Sequence, residues 1–75
     1  MTEPTTLDEA RTAKRTLSRA LGDDTRINGI GLGYDQADGY VLKVNLSVPE
    51  AAEVVPSTVD GVQVRTEVVG TTRSL

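Results

Sequence analysis

Histidine and cysteine are both missing from this chain, and so are phenylalanine and tryptophan. Without cysteine there is no disulfide, no thiolate nucleophile and no cysteine-held zinc. Without histidine the chain lacks the commonest general base, the commonest transition-metal ligand and the side chain that titrates near neutral pH. Tyr34 and Tyr40 are the only aromatic residues, so the core has to be built from Val, Leu, Ile and Ala. No apolar run approaches the roughly 18 residues of a membrane span. The opening "MTEPTTLDEA" has neither the basic start nor the apolar stretch of a signal peptide. These absences predict a cytoplasmic protein with no membrane partner, and no catalytic residue, metal or cofactor suggests itself. Thr and Ser are plentiful, but nothing stands ready to activate one as a nucleophile.

At 75 residues the chain predicts a single small domain spanning 1–75. A domain of this size buries only about 60% of the surface its unfolded chain exposes. With so few aromatics, stabilisation by self-association or by a partner is expected, and a homodimer is the expected form. The net charge of −3 argues against nucleic-acid binding by the domain as a whole.

Residues 1–5 are polar and are expected to fray. In "TLDEARTAKRTLSRALG", Thr6 and Glu9 have the spacing of a capping box. Leu7, Ala10, Ala13, Leu17, Ala20 and Leu21 recur with helical period, predicting a helix over 7–21 that Gly22 ends in a left-handed cap. "INGIGLGYD" alternates Gly29, Gly31 and Gly33 with Ile30, Leu32 and Tyr34, the period of a strand. "DQADG" is a turn signal. "YVLKVNLSV" alternates again, with Tyr40, Leu42, Val44, Leu46 and Val48 on one face, and completes a hairpin. Pro49 to Pro56 brackets a short helix. "TVDG" marks another turn, and "VQVRTEVV" a third strand with Val62, Val64 and Val68 inward. The tail 71–75 has no periodicity and is expected to be flexible. The expected architecture is α+β: one main N-terminal helix on a small three-stranded sheet. The connection between the second and third strands is long enough for a parallel crossover. Order 2-1-3, with the third strand beside the first, is favoured over 1-2-3.

The glycines raise a choice between a phosphate loop and a bare strand. A dinucleotide fingerprint needs a third glycine where Tyr34 stands, and a helix where a turn and strand follow. A Gly-Lys-Ser/Thr phosphate loop is absent. The strand reading fits better and puts all three glycines on one face. That face is either bulged or a shallow groove for a partner's backbone. In the expected order the groove is flanked by Lys43 and Asn45 on one side and by Gln63 and Arg65 on the other.

The runs "INGIGLGYDQADGYVLKVNL" and "VVPSTVDGVQVRTEVVG" resemble the segment preceding the catalytic domain in some bacterial trypsin-like serine peptidases. Gly29, Gly31, Gly33, Pro56, Gly61, Val62, Val64 and Gly70 carry the resemblance, across residues 27–70. The chain ends where a peptidase domain would begin, and it has no histidine. The resemblance therefore implies a non-catalytic accessory module and no activity.

Asp35 and Asp38 supply two carboxylates, fewer oxygen ligands than a calcium loop needs, and turn chemistry explains them better. Arg11, Arg15 and Arg19 fall at i, i+4 and i+8, with Lys14 beside them, and form a basic stripe on the helix. Such a stripe can meet phosphates or an acidic protein, although most are solvated faces. The expected function is a protein-binding or assembly module that docks its partner on the sheet. The alternative is a nucleic-acid-associated regulator using the basic stripe.

Overall fold

The computed structural model describes residues 4–69. The expectations for residues 1–3, for Gly70 and for the tail 71–75 lie outside the described residues. The fold is α+β, with one α-helix, α1 (Leu7–Leu21), against a four-stranded mixed sheet. The strands are β1 (Ile27–Asp35), β2 (Gly39–Leu46), β3 (Thr58–Val59) and β4 (Val62–Val68), with a 3-10 helix over Pro49–Val54.

The helix starts where its capping chemistry sets it. The Thr6 hydroxyl accepts from the Glu9 amide at 3.2 Å, and the Glu9 carboxylate accepts from the Thr6 amide at 2.9 Å. Ala10, Ala13, Leu17 and Leu21 form its buried stripe. Ala20, expected on that stripe, is exposed. Gly22 follows the helix in right-handed geometry, φ −59° and ψ −25°, not the expected left-handed cap. The chain turns instead through an Asp24 amide bond to the Leu21 carbonyl. Thr5, expected to fray, is tied down: its amide donates to Asp38 and its carbonyl accepts from Tyr40.

The sheet order is β1-β2-β4-β3. This corrects the expected order 2-1-3: the strand over 62–68 pairs with β2, parallel, and not with β1. The physical reason is burial. Val41, Leu42, Val44 and Leu46 of β2 are all buried, Val41 on the face opposite the other three, so β2 takes the centre. β1, whose outer face is glycine, has little to bury there and lies at the edge. The sheet also has four strands, not three. Thr58 and Val59 pair with Gln63 and Val62 across Asp60–Gly61, where both residues have positive φ (51° and 81°). That is the two-residue hairpin that an Asp-Gly pair favours. Leu17, Leu42, Leu46, Val44 and Val62 meet Ala51 of the 3-10 helix in one apolar cluster under α1. Val68, expected inward, is 48% exposed.

Candidate functional site

β1 is paired with β2 antiparallel, Gly29 opposite Asn45, Gly31 opposite Lys43 and Gly33 opposite Val41. The register shifts between Ile27 and Gly29, so Asn28 is the extra residue of a bulge. The bulge puts Ile27 and Ile30, three apart in sequence, on the same inner face. Gly29, Gly31 and Gly33 do not have positive φ. The irregularity belongs to Asn28, and the glycines lie in ordinary strand.

Hydrogen-bond direction along β2 shows which way the β1 backbone points. The Tyr40 amide donates to Thr5, and the Leu46 carbonyl accepts from Val69, both on the side away from β1. The Ser47 amide donates toward Arg26, on the β1 side. Backbone groups alternate along a strand, so Val41, Lys43 and Asn45 turn theirs to β1. Their partners are the three glycines. Ile30, Leu32 and Tyr34 therefore aim their N–H and C=O groups outward, along an edge with no strand beyond it among the described residues. Their side chains lie on the helix side. Ile30 and Leu32 are half-buried, while Tyr34 is 67% exposed and makes an edge-on contact with Tyr40, ring centres 5.2 Å apart.

The outer face is not the two-walled groove expected from order 2-1-3. Lys43 and Asn45 of β2 border the glycines on one side; Arg65 and Gln63 lie one strand further, on β4. On the other side of the glycines no strand lies among the described residues. A Cβ at Gly29 or Gly31 would meet nothing within 4 Å, whereas at Gly33 it would fall 2.7 Å from Lys43 Cδ. The Lys43 stem thus already covers Gly33. Arg65 reaches from β4 across β2 to the hairpin turn, where its guanidinium donates to Asp35 at 2.8 Å and to Asp38 at 3.2 Å. The register places Val41 under that path. This accounts for Val41 being only 2% exposed on an otherwise open face. Asp35 also accepts from the Ala37 and Asp38 amides. The Arg65 guanidinium, then these amides, hold its carboxyl below the ordinary range. Arg65 is engaged in holding the turn, and of the residues expected to line a docking surface only Gly29, Gly31, Lys43 and Asn45 adjoin open space at the β1 side.

The basic stripe meets the same strand from the other face. Arg11, Lys14, Arg15 and Ser18 of α1 and Leu32 of β1 line an open depression of about 370 Å3. Arg19 is not among its lining residues. Among the described residues the ion pairs use Arg26 and Arg65; none uses Arg11, Lys14, Arg15, Arg19 or Lys43. The opposite flank of the helix is acidic, where Asp8, Glu9 and Thr12 share a second depression with Asp60. Sequence reasoning finds the stripe and the glycine strand but not that they adjoin. The β1 edge itself is hidden from it, because order 2-1-3 places that strand in the centre.

The chain matches no family model, no curated protein and no solved structure. No helix among the described residues is long and apolar enough to cross a membrane.

Proposed function

We propose that this chain is a non-catalytic protein-binding module that takes its partner along the free edge of β1. The observation that carries this reading is the lack, among the described residues, of any guard on that edge between Gly29 and Tyr34. Proteins protect exposed strand edges with lysines, prolines, inward charges, bulges or covering segments, because a bare edge pairs with whatever strand arrives. From Gly29 to Tyr34 the edge strand has no charge and no proline, and its one bulge lies before it at Asn28. The far edge is treated differently: β3 covers the start of β4, and Glu67 puts a charge on the rest. An unguarded edge of this length suits strand addition, in which backbone hydrogen bonds supply affinity and alternate side chains supply selectivity. The resemblance to an accessory segment of serine peptidases agrees with a binding role.

Tyr34 provides the test. Its amide points outward and bonds nothing in β2, so Tyr34→Pro removes an edge donor without breaking the sheet. Tyr34→Thr removes the same ring and keeps the donor. Affinity capture with the full chain should retain a partner on the wild type and on Tyr34→Thr, and lose it on Tyr34→Pro. Equal retention by both variants would reject edge docking.

A further inference from the structure

The depression between α1 and β1 lies beside the edge where an added strand would run. An added strand sits about 4.8 Å beyond β1, and its alternate side chains point to the helix side, whichever direction it runs. On that side Arg11, Lys14 and Arg15 line the depression next to Leu32. All three cations are without an ion-pair partner among the described residues, in a chain whose net charge is −3. The side chains that point the other way lie over Gly29 and Gly31, where nothing from β1 stands in their path. Bare edge glycines of this kind are well covered by an aromatic ring on the neighbouring strand.

Resting on the edge-docking reading, we infer that the partner segment is an extended acidic peptide, with carboxylates at alternate positions facing Arg11, Lys14 and Arg15 and a bulky or aromatic residue between them over Gly31. The occupant follows from charge and period together. The outward N–H and C=O groups of Ile30, Leu32 and Tyr34 repeat every two residues, about 6.8 Å, which is the repeat of a peptide strand. A nucleic acid finds cations here, but Tyr34 is the one exposed ring on this side of β1 among the described residues, too little to stack successive bases, and the molecule is net-negative. A second copy fares worse. Antiparallel pairing of two β1 edges about a two-fold axis puts both helices, each with its basic stripe, on one face, where the like charges oppose the pairing.

The test uses the full chain and two blocked heptapeptides, Glu-Thr-Glu-Tyr-Glu-Thr-Glu and the same sequence with glutamine for every glutamate, with affinities measured by calorimetry in low and physiological salt. The acidic peptide should bind roughly tenfold or more tightly than the glutamine peptide, and Arg11→Gln with Arg15→Gln should remove that advantage. Both residues are exposed on the helix, so the double variant keeps its fold. Equal binding of the two peptides overturns the acidic preference and leaves edge docking standing. Binding of neither overturns both. Salt-sensitive binding of a single-stranded or duplex oligonucleotide that the double variant loses, with neither peptide bound, replaces the inference with a nucleic-acid site. A stable dimer in sedimentation that Tyr34→Pro dissociates assigns the edge to a second copy instead.

Discussion

Replacing Gly31 by valine is expected to make the domain more stable. The position has no positive φ, it lies within regular pairing opposite Lys43, and a Cβ there meets nothing within 4 Å. Glycine inside a strand costs about 0.5–1 kcal/mol relative to alanine through the entropy of the unfolded chain. The β-branched preference of strands adds to this on a scale that spans about 1 kcal/mol. A gain of about 1 kcal/mol raises the melting temperature of a domain this small by about 4–8 °C. The other glycines grade the effect. At Gly33 the new side chain has to displace the Lys43 stem, 2.7 Å away, so little or no gain is expected. At Gly39, where φ is +79° and a Cβ would sit 2.6 Å from both the nitrogen and the oxygen of Thr5, alanine should cost about 1–3 kcal/mol. Thermal unfolding followed by far-ultraviolet circular dichroism, with urea titration as a second measure, ranks the three. Loss of stability in Gly31→Val, or none in Gly39→Ala, would refute the strand geometry from which the edge is argued.

Thr6→Ala removes one half of the capping box and should cost about 1 kcal/mol, seen as a lower urea midpoint. Leu17→Ala, at a side chain 1% exposed in the centre of the core, should cost about 2–5 kcal/mol and leave the domain partly unfolded at ambient temperature. Asp24 accepts from the Arg26 guanidinium and amide, which lower its carboxyl from 3.8 to about 2. A carboxyl lowered by folding lends stability that is complete above its unfolded value and lost as pH falls through its folded one. Stability should therefore decline between pH 3.8 and about 2, and Asp24→Asn should flatten that part of the curve. Arg65→Gln should let the Asp35 carboxyl rise toward its ordinary value, as followed by carbon-detected magnetic resonance, and should expose Val41.

The helix is legible in the sequence because its determinants are local. Thr6 and Glu9 mark its start, and Ala10, Ala13, Leu17 and Leu21 mark its buried stripe, all within the 3.6-residue period. β1, β2 and β4 are legible for the same reason; β3 reads only as a turn, although the Asp-Gly pair before Val62 carries a hairpin signal as well as a turn signal. Strand order depends on which strand can be buried on both faces. Val41, flanked by Leu42 and Tyr40, is the sign that β2 belongs in the centre, while three glycines on one face mark β1 as a strand with little to bury there. The parallel crossover satisfies both orders, so connection length does not choose between them. Arg65 meets Asp35 across 30 residues of sequence, and Leu32 meets Arg11 and Arg15 only once the helix lies over β1. No local pattern encodes either contact.

The most direct measurement of the central claim is residue-resolved amide hydrogen exchange of the full chain, free and with the acidic heptapeptide. In the free protein Gly29, Gly31 and Gly33 should be protected by their bonds to β2, and Ile30, Leu32 and Tyr34 should exchange fast. With the peptide bound, Ile30, Leu32 and Tyr34 should become protected while the glycines change little. Fast exchange at these three amides at saturating peptide, or protection confined to α1, would contradict docking along the β1 edge.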